Sequence, residues 1–296
     1  MSVPRTSGGL STYQASVLAA IYTHRIVPTS QLRTWLDPNH EHNDGRTMQK
    51  NLAALRTRGL IDVLSHRRRS ERLWFATRAG AAAAEASHLV VPRTWRMTPD
   101  KLQKGVNPDH TVATNEAATI LRAAALAAGH ECGPLDWSNE VPHRWGKAGT
   151  NEGRRSVIAD AVMRTTVTAR SRDYGVPDER FERVQFIEMD RGTMQLSRLV
   201  DKLRAYGHYR QNGQKHWLEV YGWDFPALLV VLDGLEAPGL NQRRADLIAA
   251  VQRRRLLETG KTTEPWMAAA VVTLAELRDG QEPVVITDPH PNRRGW

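Results

Sequence analysis

Two stretches decide the fold of this chain: Ser156-Val157-Ile158-Ala159-Asp160-Ala161-Val162-Met163 and, further along, Val184-Gln185-Phe186-Ile187-Glu188-Met189-Asp190. Each is a short apolar run, which reads as a buried strand. The first holds a single acid among apolar neighbours. A carboxylate inside a buried strand is costly unless it is paired, protonated or bound to a cation. In the second run the side chains alternate between faces, so Glu188 and Asp190 point the same way. Like charges on one face repel unless a positive ion sits between them.

The surroundings build an α/β domain outward from these strands. After Arg191-Gly192 the spacing predicts a helix over about 193–209, with Leu196, Leu199, Val200 and Leu203 inward. Lys202 and Tyr206 are four residues apart and share a face of it, which could lean over the acidic strand edge. Asp190 also stands where a turn with Gly192 would begin. A helix is expected over 110–128, with Glu116 in its middle, followed by a poorly regular region holding Trp137, Glu140, Trp145 and Glu152. Runs at 227–233 and 268–274 read as further buried strands, with a basic helix over about 241–255 between them. This alternation implies an α/β domain with a mixed sheet over 110–296. Pro92, Pro99, Gly105 and Pro108 break the chain repeatedly around a linker placed at 96–109.

Residues 1–95 read as a separate domain. Apolar residues recur at helical spacing over 13–23. Pro28 ends that element, Thr29 or Ser30 caps a second helix through Leu32 and Trp35, and the turn-forming loop up to Gly45 precedes a third helix over 46–58. Met48, Leu52 and Leu55 face inward on the third helix, while Arg46, Gln49, Lys50, Asn51, Arg56 and Arg58 are residue types that contact phosphates and base edges. Two short strands, 60–64 and 73–76, flank His66-Arg67-Arg68-Arg69-Ser70, an arginine-rich hairpin tip. Another helix opens at Thr77-Arg78-Ala79-Gly80. The order resembles winged helix-turn-helix modules, in which the third helix enters the major groove and the wing touches the backbone or minor groove. Residues 1–95 carry thirteen Lys and Arg against six Asp and Glu, so most of the chain's net charge of +9 lies there. Double-stranded DNA is the expected partner.

Composition narrows the remaining classes. Cys132 is the only cysteine, which excludes an internal disulfide and a cysteine-rich zinc site and fits a reducing cytoplasm. His110 and His143 lack zinc-ligand spacing and read as structural. No apolar run reaches the length of a membrane span, and the first residues lack the pattern of a secretory signal. P-loop, Rossmann and nucleophile-elbow motifs are missing.

An acid in an apolar strand, a partner strand carrying Glu-x-Asp and a helix bearing Lys and Tyr are similar to the PD-(D/E)XK restriction-endonuclease-like superfamily. More narrowly, Ala159-Asp160-Ala161, Phe186 to Thr193 and Lys202-Leu203-x-x-Tyr206, behind a winged helix and a His110-Thr111-x-x-x-Asn115-Glu116 helix, resemble the replication-relaxation family of plasmid and mobile-element proteins. The likeness runs over about 13–234. It implies a relaxase-like nuclease that nicks or relaxes an origin-like DNA site. Asp160, Glu188 and Asp190 would be its carboxylates, holding Mg²⁺ or Mn²⁺, and the metal would lower the pKa of a bound water. Asp190 stands where the superfamily usually has lysine, and Lys202 is placed to substitute from the helix. Tyr206 would orient the site, Glu116 would add a further carboxylate, and Tyr206 or Tyr209 would be the candidate nucleophile. The resemblance also brings other plasmid replication or transfer proteins, and a homodimer, into view as partners. The alternative is a DNA-binding replication initiator or regulator whose nuclease-like domain has lost catalysis and serves assembly.

Overall fold

A computed structural model of the chain describes residues 9–37, 45–64, 70–93, 107–145, 155–169, 178–222, 224–258 and 266–287. The chain is mixed α/β and forms two compact units, Met1–Thr119 with Gly133–Asn139, and Ile120–Cys132 with Glu140–Trp296.

The first unit opens with α1 (Thr12–His24), started by a reciprocal cap in which Ser11 Oγ accepts Gln14 N–H and Gln14 Oε1 accepts Ser11 N–H. From Val17 to His24 every residue of α1 is buried, so this helix is the core around which the unit packs. There follow β1 (Val27–Pro28), α2 (Thr29–Leu36), α3 (Arg46–Thr57), β2 (Ile61–Leu64), β3 (Leu73–Ala76) and α4 (Arg78–Ala86). The three strands form an antiparallel sheet in the order β1-β3-β2, with Val63 opposite Trp74 and Val27 on Trp74's other side. Thr77 caps α4 by accepting Gly80 N–H. Gly80 is required there: a Cβ would lie 1.7 Å from the Leu60 carbonyl oxygen.

The following helix, α5 (Pro108–Ala127), belongs to both units. Residues 107–119 and 133–139 thus pack with the first unit, whereas the sequence pattern assigned 110–139 to the second. The reason is a buried polar hub at the end of α1. The His24 ring stacks on Trp137 at 4.2 Å and meets Trp35 edge-on at 4.6 Å, and its Nε2 donates to Pro134 O at 2.7 Å. Asn115 and Asn139 both donate to His24 O, and Asn139 donates to Asn115 Oδ1 at 2.7 Å. Buried amide N–H groups must find acceptors, and these find them far away in sequence.

The second unit holds a six-stranded sheet in sequence order, formed by β4 (Trp137–Trp145, in this unit from Glu140 on), β5 (Arg155–Ala169), β6 (Glu179–Asp190), β7 (Ala227–Leu232), β8 (Ala269–Thr273) and β9 (Val284–Thr287). The region around Trp137 and Trp145, expected to be irregular, is thus a strand. β5/β6 and β8/β9 are antiparallel, whereas β6/β7 and β7/β8 are parallel. The parallel pairs need crossovers, supplied by α6 (Leu196–Asn212) with α7 (Gln214–Tyr221), and by α8 (Ala237–Glu258). A short α9 (Leu274–Arg278) precedes β9. Central β7 reads ALLVVL and is buried at five of six positions, as expected of a parallel strand covered on both faces. Val157, Ala159, Phe186, Val230 and Val271 pack against Leu199, Val200, Leu203, Leu247 and Val251 from the helices.

Burial depresses the His24 pKa to about 3, so the ring stays neutral in the folded chain. A depressed histidine contributes stability that is full above its unfolded value and is lost as pH falls towards the folded one. Going from pH 7.5 to 5.0 should therefore cost about 2 kcal/mol through this residue. Thermal melts followed by tryptophan fluorescence test this, with His24→Gln expected to show a shallower acid dependence; equal dependence in both proteins would refute it.

Candidate functional site

The site grows from the β5/β6 register. The ladder runs from Ala169↔Glu179 to Ala161↔Ile187, and one further step sets Asp160 across from Glu188. Directly opposed strand residues have Cβ atoms about 5 Å apart, and like charges at such positions are destabilising. The countercharge comes from α6, whose Leu199, Val200 and Leu203 are buried among the core residues of the sheet. Its Lys202 Nζ donates to Asp160 Oδ1 at 3.0 Å and to Glu188 Oε2. The remaining oxygens are also engaged. Met189 N–H donates to Asp160 Oδ2 at 2.9 Å, and the Tyr206 hydroxyl donates to Glu188 Oε1. Lys202 and Tyr206 reach the same carboxylate because four residues make roughly one helical turn.

Exposure is graded across the cluster. The side chain of Glu188 is 3% exposed, that of Asp160 14% and that of Lys202 22%. Burial, reinforced by the neighbouring Asp160 charge, raises the Glu188 pKa well above the ordinary carboxylate range, and the pull of Lys202 and Tyr206 only partly offsets this. Burial pushes Lys202 downward, but the two carboxylates outweigh it and its pKa is raised. The ammonium is thus held charged between two acids, one of which readily keeps a proton.

Four residues singled out in the sequence, Asp160, Glu188, Lys202 and Tyr206, therefore meet at one place. Asp190 does not join them. It lies on the same face of β6, but its carboxylate forms a two-point pair with Arg243 of α8, at 2.8 and 3.3 Å, and accepts Gly192 N–H at 3.1 Å. The turn with Gly192 is present, with Gly192 at φ 70°. Arg243 was not singled out because nothing marks it among the arginines of its helix; the buried acid two residues beyond Glu188 was the signal that a cation must be nearby. Glu116 belongs to the first unit, where it accepts from Gln31 at 3.4 Å. His143 is structural: it contacts the Phe186, Tyr209 and Tyr221 rings, bonds to the Tyr221 hydroxyl, and burial lowers its pKa to about 4. Tyr209 is fully buried and bonded to His216 Nδ1 at 2.6 Å.

The first unit presents a second set of candidates. On α3, Arg46, Gln49, Lys50 and Arg56 are exposed and Asn51 half-buried, opposite buried Met48, Leu52 and Leu55; Arg58, also exposed, caps the helix end. Arg56 pairs with Asp62 at 3.2 Å, Asn51 donates to Thr47 O and Arg58 donates to Gly9 O. Arg67, Arg68 and Arg69 lie outside the described residues.

Removing the shared cation should be costly. Lys202→Met is expected to destabilise the second unit by about 3 kcal/mol, because two opposed acids then face each other without the ammonium between them. Adding Glu188→Gln should recover much of that loss, and a double variant as unstable as the single one would refute the arrangement. An acid with a raised folded pKa stabilises most below its unfolded value, and that stability is lost as pH climbs through the folded one. Glu188→Gln alone should accordingly raise the melting temperature at pH 8 and have little effect at pH 4.5.

Comparisons with known proteins bear on the same residues. Residues 18–220 match the family described as replication-relaxation, a span that takes in Asp160, Glu188, Lys202 and Tyr206 and ends within α7. Comparison with curated proteins and with solved structures returned no match. Since the matched residues make up more than half of the 296-residue chain, the protein belongs to the replication-relaxation family.

Proposed function

We propose that this chain is a plasmid or mobile-element DNA-processing protein, whose first unit recognises a double-stranded, origin-like site and whose second unit nicks or relaxes it with a metal-dependent nuclease centre. The observation that carries this reading is the convergence of Asp160 and Glu188, from adjacent strands, on one cationic atom. Two hard oxygen donors aimed at one positive charge suit a small divalent ion that keeps most of its waters, such as Mg²⁺ or Mn²⁺. Among the described residues no group of three metal-ligating side chains occurs, so such an ion would draw its remaining ligands from water and substrate phosphate.

In this reading Asp160 and Glu188 hold the ion, which when bound supplies an activated water and neutralises charge on the scissile phosphate. The chain's own groups do the positioning. Tyr206 and Met189 N–H fix the two carboxylates, and Lys202, the most exposed of the three charged groups, is accessible to a phosphate oxygen. Asp190, neutralised by Arg243, braces the end of β6 beside the site. The helix pair α2–α3 followed by the β2/β3 hairpin supports a winged-helix DNA reader, with the exposed α3 face towards the major groove. A cytoplasmic setting and association with other replication or transfer proteins, or with a second copy, belong to the same reading.

A specific observation favours a second reading, a DNA-binding initiator or regulator whose nuclease-like unit serves assembly. All four carboxylate oxygens of Asp160 and Glu188 already have protein donors, and Asp190 stands where the nucleases that this pattern resembles usually carry lysine.

Supercoiled origin plasmid incubated with the full chain, in Mg²⁺, Mn²⁺ or EDTA, separates the two. Open-circle product that requires the metal and falls at least about a hundredfold in Asp160→Ala and in Glu188→Ala is expected for the nuclease. Duplex binding by wild type and variants alike, with no nicking under either ion, would establish the second reading.

A further inference from the structure

The first unit contains a groove of about 1000 Å³ between α2, α3 and the start of β3. Arg33, Arg56 and Arg72 line it together with Gln49, and its one acid is Glu71. Glu71 is not a bystander in that wall. One carboxylate oxygen accepts the backbone N–H of Ser30 at 2.5 Å and the other accepts the Ser30 hydroxyl at 2.8 Å. Ser30 lies in the first turn of α2, where backbone N–H groups lack intrahelical partners and the helix dipole favours an anion. Glu71 therefore brings a negative charge from the hairpin into a groove whose other charged groups are all positive.

Two forces act on that carboxylate. The N–H and hydroxyl of Ser30 at the helix end hold it in place, in a groove that the arginines make positive. A polyanion entering the groove meets the same donors and the same cations, but must also face the Glu71 charge. Arg56 is partly compensated already by Asp62, so Glu71 weighs heavily in the local balance.

We propose that Glu71 is a built-in competitor for DNA backbone phosphate: it occupies the α2 anion position within the arginine-lined groove and must be displaced, or tolerated, when a duplex docks. The proposal rests on the reading of the first unit as a DNA binder and adds to it a residue that holds down sequence-independent affinity. Such a device weakens binding to every duplex by the same factor, so stable occupancy is left to sites where base contacts add to the phosphate ones.

The test uses the full chain and a fluorescent random-sequence duplex, with binding measured by anisotropy across a salt series. Glu71→Gln keeps an acceptor for Ser30 but removes the charge. It should bind the random duplex about five- to tenfold more tightly than wild type, with a salt dependence steeper by about one phosphate contact. Glu71→Asp, which keeps the charge, should bind no more tightly than wild type. If the glutamine variant does not fold, Glu71→Ser takes its place with the same expectation. Unchanged or weaker binding by the charge-removing variant, or equal tightening by Glu71→Asp, overturns the competitor role while leaving the DNA reading intact. Failure of wild type and charge-removing variant alike to bind duplex at low salt overturns both.

Discussion

One ammonium group between two carboxylates governs the second unit. Asp160 and Glu188 face each other because an antiparallel register leaves them no other place, and Lys202 makes that juxtaposition tolerable. The positions of α6 and of the β5/β6 pair are coupled through this charge. If α6 slid by one turn, it would carry Lys202 about 5 Å along its axis and leave two acids confronting each other in a largely dry setting. The apolar contacts of Leu199, Val200 and Leu203 supply the bulk of the packing, but they tolerate a shift better than the charged triad does, so the triad sets the register.

A second ionic contact does comparable work at the end of β6. Asp190 and Arg243 join that strand to α8, and the Asp190 carboxylate also organises the turn into α6. β6 is thus clamped twice on one face, once to α6 and once to α8. In the first unit the equivalent constraint is neutral. His24, Asn115 and Asn139 form a buried hydrogen-bonded hub lined by Trp35 and Trp137, and it draws segments far apart in sequence to the end of α1. Such networks have few alternative ways of being satisfied, so they specify one arrangement more sharply than apolar contact does.

Much of this was legible in the residues. The burial cost of an acid in an apolar strand pointed to Asp160, strand alternation to Glu188, and helical spacing to Lys202 with Tyr206. Periodicity located α1, α3, α6 and the central strands to within a few residues. What escaped had physical reasons. β4 carries Asn139, Glu140, Pro142 and His143 among its apolar positions, so its alternation is blurred, and Glu140 takes a positive φ of 50°. The partner of Asp190 could not be picked out because α8 also carries Arg244, Arg253, Arg254 and Arg255, and only tertiary packing distinguishes Arg243 from them. The unit boundary within α5 was hidden because a helix of continuous pattern gives no local sign that its two halves pack in different bodies.

The burial of two phenols bears on what strand breakage on this scaffold would leave behind. Tyr206 and Tyr209 have no exposed surface, and their hydroxyls are engaged by Glu188 and His216, so neither can reach an incoming phosphorus without opening the helix that carries it. Scission by a metal-activated water, in which they take no part, would transfer the backbone to water and conserve no protein–DNA ester. The energy of the broken linkage would then be dissipated at once, and rejoining the ends would fall to a separate, externally fuelled ligation.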